Sequence, residues 1–571
     1  MQEIKCLAIS PGIAVGPLFF YSTTVIKAEK QAAADPEQEI RCLEEAIEQA
    51  KVDLQAVLEN SRKDLAGEAE IFEAHLMVLD DPVLLEQVAE DIRGLGVNAE
   101  YAWQQGMEKF AEMMASMEDE YMAARAADVR DVSQRVLRVL AGEQQDGRSL
   151  AQPSIIVAHE LTPSDTVTFD RSKVLAFCTA EGGPTSHVSI LSKALGIPAV
   201  SGLGQYMEQL RQASTAVVDG SAGKVILNPD EATQRTYISR RAALDEKFKR
   251  AFQETTRPAV TRDGKQVEVV ANIGSVKDAR EAVKYGAEGV GLLRTEFLFL
   301  DRTEPPTEEE QYSVYRQILE VFGDRPVVAR TLDIGGDKPA SYLHMNEELN
   351  PFLGVRGARL ELQHEELMIP QLRALLRAGE GHNLKIMFPM ISTIGEIRQA
   401  NEYVRRVKGE LEASGTPYAR NAEIGIMVEV PSAAINADIL AKEVDFFSIG
   451  TNDLSQYTLA GDRTNPHVAH LADSMDPSVL RLIGMVCKAA HEAGIWVGLC
   501  GELGGEVIAA PVLLGLGVDE LSMNTRAIPF VKEQIRRYTV EEAQRIASHV
   551  LGLSSAADIR AYLTSLLPDG G

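Results

Sequence analysis

At 571 residues the chain is too long for one hydrophobic core and should divide into about three or four domains. Its 45% apolar and 25% charged residues are ordinary for a globular cytosolic protein. A formal net charge of −27 repels nucleic-acid and lipid phosphates, so neither partner is expected, and any anionic substrate has to be held by local arginines.

The chain opens MQEIKCLAISPGIAVGPLFF, with no basic segment ahead of a long apolar run, so no secretory signal is read there. Residues 1–20 read as a short strand and a Pro-Gly turn. From Pro36 the texture changes: Ile40, Leu43, Ile47, Ala50, Leu54 and Val57 follow the 3-4 spacing of an amphipathic helix. More helix follows in IFEAHLMVL (71–79) and from Ala99 to about Leu140, so residues 22–145 read as an all-helical unit. Residues 1–21 and 146–230 read as an α/β unit, with strands at 154–160, 173–179, 215–220 and 224–229. The charged stretch 231–259 reads as a linker helix.

From residue 260 to 571, strand and helix alternate. The strand candidates are 267–273, 289–293, 327–333, 384–390, 425–430, 446–450, 496–501 and 520–523, mostly short continuous apolar runs of the kind buried on both faces of a parallel sheet. Eight such units predict a (β/α)8 barrel of the TIM type. An open doubly wound sheet is the alternative, but no GxGxxG opens a helix to support it. No apolar run is long enough to span a bilayer. The cysteines, Cys6, Cys42, Cys178, Cys487 and Cys500, are scattered without a CxxC pair, which reads as free thiols in a reducing, cytoplasmic setting.

Barrel sites are built where strands end. Arg294, Arg330 with Asp333, Glu429, Asn452 with Asp453, and Cys500 with Glu502 all fall at such ends, and Arg463 lies a short loop further on. Glu429 and Asp453 sit on neighbouring strands, ~4.8 Å apart. Carboxylates that close repel unless a cation joins them, and hard oxygen ligands suit Mg2+. Arg294, Arg330 and Arg463 can grip an anion, and metal with arginines neutralises a moving phosphoryl group. A salt-bridge network under the rim is the plainer reading. Cys500 reads equally as a buried apolar thiol or as a proton donor beside the metal site.

A second pattern lies at 182–196, GGPTSHVSILSKALG. Thr185 or Ser186 can cap a helix that begins there, which puts His187 in the first turn, where an anion is favoured and an imidazolium is not. That suits a histidine that attacks phosphorus; a neutral histidine packed at a helix start is the alternative.

Long strings along the chain resemble the phosphoenolpyruvate-utilising phosphotransferases, in particular the Enzyme I branch of the bacterial phosphotransferase system. They include SPGIAVG (10–16), GGPTSH (182–187), GAEGVGLLRTEFLFLDR (286–302), RTLDIGGDK (330–338), NPFLGVRGAR (350–359), DFFSIGTNDLSQYTLAGDR (445–463) and GLCGELGG (498–505). The resemblance implies a swivelling phosphohistidine domain with an inserted helical domain that binds the carrier protein HPr, followed by a barrel that binds phosphoenolpyruvate and dimerises. It implies phosphoenolpyruvate on Arg294, Arg330, Asn452, Asp453 and Arg463, with Arg356 and Lys338 lining the same pocket. It also implies Mg2+ on Glu429 and Asp453, transfer to His187, and protonation of enolpyruvate by Cys500. Val188, Lys193 and Val355 depart from the family pattern without removing a reacting group, and leave open whether the carrier is HPr or the HPr-like carrier of a nitrogen-related paralogue. No ATP-grasp segment precedes the histidine motif, which argues against dikinases and synthases of the same family. His75, Asp128 and Arg130 read either as carrier contacts or as ordinary helix residues.

Overall fold

A computed structural model describes residues 1–21, 26–64, 75–115, 120–142, 150–161, 169–182, 187–300, 302, 304–335, 342–343, 348–463, 465 and 467–567. The chain divides into two compact units, Met1–Asp245 and Glu246–Gly571.

The first unit is built on one sheet. Its strands are β1 (Gln2–Lys5), β2 (Leu7–Ser10), β3 (Ile13–Phe20), β4 (Ser154–Ala158), β5 (Val174–Thr179), β6 (Ala199–Ser201), β7 (Thr215–Asp219) and β8 (Lys224–Leu227), in the spatial order β1-β8-β7-β3-β4-β5-β6-β2. The N-terminus thus holds three strands, where its sequence suggested one and a turn. β1 and β2 are four residues each, too short to show a period, and each pairs with a distant partner, β8 and β6. β6 was not anticipated for the same reason. The turn at Pro11-Gly12 is as expected, with Gly12 at φ 130° and a Cβ there only 2.8 Å from Pro198.

Between β3 and β4 the chain leaves the sheet for a helical insert of Pro36–Asp64, Pro82–Leu95, Ala99–Ala115 and Glu120–Leu140. Ile40, Leu43, Ile47, Ala50 and Leu54 are buried on one side of the first helix, as their spacing requires; the side chain of Val57 lies outside what is described. Trp103 is wholly buried and donates its indole N–H to the Ser133 carbonyl at 3.2 Å. Asp81 caps the second helix, accepting from the Val83 and Leu84 amides, and Gly96 closes it in the left-handed conformation. The stretch expected to be helical from Ala99 to about Leu140 holds two of these helices, Ala99–Ala115 and Glu120–Leu140.

The second unit is a closed barrel of parallel strands: β9 (Glu268–Ile273), β10 (Val290–Arg294), β11 (Val327–Arg330), β12 (Leu384–Phe388), β13 (Glu423–Val428), β14 (Phe446–Ile449), β15 (Trp496–Leu499) and β16 (Glu520–Met523), with β16 pairing back onto β9. The strands are those anticipated, but most end one to three residues earlier, because the polar residues beyond Arg330, Val428, Ile449 and Leu499 leave the ladder to form the mouth. Apolar packing is concentrated between strands and surrounding helices. Among the described residues the apolar cluster inside the barrel is Leu292, Val328, Met387, Met427, Phe446 and Cys500, with Trp496 stacked on Phe446 at 4.5 Å. Gly425 makes room for that stack, since a Cβ there would lie 2.6 Å from the Phe446 ring. The linker helix, Glu231–Gln253, stops short of the anticipated residue 259, where i→i+3 turns take over at Thr255 and Arg257. Among the described residues no helix is long and apolar enough to cross a membrane.

Candidate active site

At the C-terminal mouth of the barrel the chain buries a group of opposite charges. Arg330, the last residue of β11, is 7% exposed. Its Nη2 meets Glu296 Oε1 at 2.5 Å and its Nη1 meets Asp333 Oδ2 at 2.9 Å. Burial alone would lower its pKa, but Glu296, Asp333 and Glu429 more than offset that and raise it, so the guanidinium is permanently charged. Arg356 comes from the long segment between β11 and β12 and is clamped twice. Its Nε and Nη2 reach the two oxygens of Asp333 at 3.1 and 3.2 Å, and its Nη1 and Nη2 reach those of Asp453 at 2.9 and 3.4 Å. Arg463 approaches Asp453 from the open side at 3.4 Å. Arg294 projects from the end of β10. Its surroundings, and then Arg330 beside it, lower its pKa, and it makes no ion pair among the described residues. It is therefore the guanidinium best placed to take an anion from solvent.

The carboxylates are arranged to match. Glu429 follows β13 and Asp453 lies in the first turn of the helix Thr451–Leu459 that follows β14; these strands are neighbours. Glu429 is 1% exposed and accepts the Met390 amide at 2.7 Å. Burial, then Asp453 and Asp333, push its pKa up, against the pull of Arg330 and Arg356. Among the described residues Arg330, Arg356 and Arg463 pair with Glu296, Asp333 and Asp453, and Glu429 makes no salt bridge of its own. The donor set fits a small hard dication: two buried carboxylates on adjacent strands, one of them outside these salt bridges, with the remaining ligand positions left for substrate and water. Gly450 keeps this corner open, since a Cβ there would come 2.8 Å from Glu429 Oε2.

Cys500 follows β15 and is 4% exposed, its amide bonded to the Ile449 carbonyl at 3.0 Å. Burial pushes the thiol up to about 11, while the Ser448 hydroxyl and Arg330 pull the other way. A thiol that keeps its proton at neutral pH is an acid in waiting, not a nucleophile. Asn452 accepts the Glu502 amide at 3.0 Å, tying the β14 and β15 loops together. Arg294, Arg330, Arg356, Glu429, Asn452, Asp453, Arg463 and Cys500 thus gather at one mouth. Lys338 lies outside the described residues, as do the expected caps Thr185 and Ser186. His187 is the first residue of the helix His187–Leu195, which connects β5 to β6 in the first unit; its side chain is outside what is described. His75 is buried in the helical insert, 3.9 Å from Asp128, and Arg130 pairs with Glu108 at 2.7 Å.

Sequence reading missed the layer beneath. Thr295 donates to the Arg330 carbonyl at 2.9 Å, and Gln371 donates to Thr295 while accepting the Leu332 amide. Thr331 donates to Glu361 at 2.6 Å, and burial pushes that carboxyl up to about 8. Glu296, two residues past the end of a strand, had the same positional signal as Asp333. Glu361 and Gln371, on helices, had none.

Comparison with known proteins accounts for this arrangement. The PEP-binding domain profile of PEP-utilising enzymes matches residues 249–540, which include every mouth residue named above. The chain belongs to the PEP-utilising enzyme family. The family's N-terminal and mobile-domain profiles match residues 5–125 and 150–223, the latter containing His187. Among curated relatives, the phosphoenolpyruvate-protein phosphotransferase of Priestia megaterium is 44% identical over 566 residues, covering 99% of each chain. That of Bacillus subtilis is 43% identical over 565 residues, again covering 99% of each. A solution structure of an Enzyme I protein is 37% identical and covers 42% of this chain and 99% of its own, with a TM-score of 0.38.

Proposed function

We propose that this protein moves the phosphoryl group of phosphoenolpyruvate to its own His187 and from there to a histidine of the carrier protein HPr, releasing pyruvate at the first step. The observation that supports it most directly is the barrel mouth, where Arg294, without an ion pair among the described residues, stands beside a buried Arg330, the carboxylates Glu429 and Asp453 from adjacent strands, and the buried Cys500 thiol. Phosphate takes Arg294, Arg330 and Arg463, with Arg356 at the edge of the pocket and the Asn452 amide toward the substrate carboxylate; Lys338, outside the described residues, is a further candidate for the substrate. Glu429 and Asp453 would hold Mg2+, which when bound offsets charge on the phosphate oxygens. As the bond to phosphorus breaks, the enolate oxygen is left beside guanidinium groups that already face it, so little reorganisation is needed. Cys500 gives its proton to the methylene carbon, and the product becomes pyruvate. Protonation at carbon makes the transfer strongly downhill.

His187 serves as acceptor because a ring nitrogen free of a proton can attack phosphorus in line. Phosphohistidine then meets the carrier on the helical insert, residues 22–145, with 146–152 and the helix beginning at Glu231 as hinges. The phosphohistidine domain is residues 1–21 and 146–230, the linker helix runs to 259, and residues 260–571 bind phosphoenolpyruvate and dimerise; the protein works in the cytoplasm. Curated relatives sharing nearly the whole length carry the phosphotransferase name, which favours HPr over a nitrogen-branch carrier. Labelled phosphoenolpyruvate with Mg2+ and no nucleotide should leave acid-labile, alkali-stable label on the wild type and none on His187→Ala. A requirement for ATP, or label retained by the variant, would refute the reading.

A further inference from the structure

Cys500 is held from both sides by groups that take no part in the chemistry. It follows β15 directly, where the pairing of that strand with β16 ends at Leu499 and Leu521. On the β14 side its amide donates to the Ile449 carbonyl at 3.0 Å, and its Sγ lies 3.7 Å from the same oxygen. Its own carbonyl is taken by a side chain: Asn272 Nδ2, on β9, donates to it at 3.0 Å. β9 lies two strands away, with β16 between them, so this one bond ties the end of β15 to the strand where the barrel closes.

Asn272 is itself fixed in orientation. Alternation along the strands turns Asn272 and Ser522 inward, because their neighbours Ala271, Ile273, Leu521 and Met523 pack in the core between strands and helices. Ser522 is wholly buried, and its hydroxyl donates to Asn272 Oδ1 at 2.6 Å. A carbonyl can only accept, so the Cys500 oxygen requires the NH2 end of the amide, and the Ser522 hydroxyl takes the other end. Together the two contacts select one of the two ways the amide can face. Gly291 on β10 leaves the hydroxyl its place: a Cβ there would come 2.6 Å from Ser522 Cβ and 2.7 Å from its Oγ.

We propose that Asn272, oriented by Ser522, is a positioning residue that aims the Cys500 thiol at the methylene carbon of enolpyruvate. The proposal rests on the reading of Cys500 as the carbon acid. In that step the S–H bond breaks and the proton goes to carbon. The enolate electrons form the new C–H bond as the C–O bond becomes a carbonyl, and the thiolate regains a proton from solvent between turnovers. An acid reaches such a carbon only from above the plane of the enolate, so a small swing of the Cys500 backbone takes the thiol out of line. The next residue, Gly501, has no side chain to restrain the peptide that joins them, and the bond from Asn272 supplies that restraint. Binding of phosphate and transfer to His187 use the arginines and the carboxylates, and do not depend on it.

The test is a single turnover of the full-length protein with phosphoenolpyruvate and Mg2+, for wild type, Asn272→Ala, Ser522→Ala and Cys500→Ala. Phosphorylation of His187 is read as label surviving an alkaline quench. Pyruvate is read from NADH oxidation by excess lactate dehydrogenase, which reduces the ketone and not the enol. The rate of pyruvate appearance, divided by the rate of His187 phosphorylation, should fall about tenfold or more in Asn272→Ala, and in the same direction in Ser522→Ala. A ratio equal to that of wild type in Asn272→Ala overturns the proposal, including the case where both rates fall together, as a general structural defect would make them. If Asn272→Ala fails to fold, Ser522→Ala decides by the same criterion. Cys500→Ala separates the two readings. An unchanged ratio there removes the carbon-acid assignment, and with it the positioning role. A fallen ratio there with an unchanged one in Asn272→Ala removes the positioning role alone.

Discussion

Replacing Glu296 by Gln tests whether the buried ion pairs at the mouth build the site or merely fill it. Glu296 is 2% exposed and meets Arg330 at 2.5 Å, with Thr295 and Gln371 holding the same backbone from below. Removing one partner of a buried pair costs about 3–5 kcal/mol when the other charge is left alone. Here Asp333 still holds Arg330 at 2.9 Å, and the Gln amide keeps an acceptor, so the loss should sit near about 3 kcal/mol. Freed on one side, Arg330 should turn toward Asp333 and away from the substrate, lowering kcat/KM about 100-fold. The chain has two tryptophans, Trp103 in the helical insert and Trp496 in the barrel, so urea unfolding in a Trp103→Phe background follows the barrel alone. Steady-state pyruvate release gives kcat/KM. A shift of the barrel transition under about 0.5 kcal/mol, with kcat/KM close to that of wild type, would refute the reasoning.

The buried Glu361 should make the barrel's stability fall with rising pH. Its carboxyl keeps its proton up to about 8 in the fold instead of the ordinary 4.5, so between those values the folded chain binds a proton that the unfolded chain has released, and each pH unit costs up to about 1.4 kcal/mol. Glu361→Gln should flatten that slope in urea titrations at pH 5 to 8; an unchanged slope would count against it. Gly501→Ala should distort the site, because a Cβ there would lie 1.9 Å from Thr451 Oγ1 and 2.6 Å from its amide nitrogen. About 1–3 kcal/mol of overpacking and a large loss of pyruvate release are expected, and full activity would show that the Asn452 and Cys500 loops can shift freely. Asp81→Ala removes the cap of the helix Pro82–Leu95 and should cost the helical insert about 1 kcal/mol, read from Trp103 fluorescence, without altering phosphorylation of His187.

Sequence alone determined the architecture and half of the mouth. Continuous apolar runs separated by helical periods can satisfy their burial only as parallel strands sheathed in helices, and polar residues following such runs must fall at one rim. For that reason Arg294, Arg330, Glu429, Asp453 and Cys500 were legible as a group, and the helical insert was legible from Ile40 to Leu54. Strands of three or four residues at the N-terminus and at Ala199–Ser201 carry no period, and exist because partners far along the chain complete their hydrogen bonds. Tertiary structure alone decided the pairings. Arg356 lies 97 residues from Asp453 and 23 from Asp333, and only barrel closure brings the three together. Glu520 opens a strand, where a charged residue ordinarily reads as a solvated end. It becomes a buried, protonated acid because Gly291 and Gly498, on two other strands, leave space for it. Burial and charge neighbours, which set what each group can do, are properties of the closed barrel and of no segment by itself.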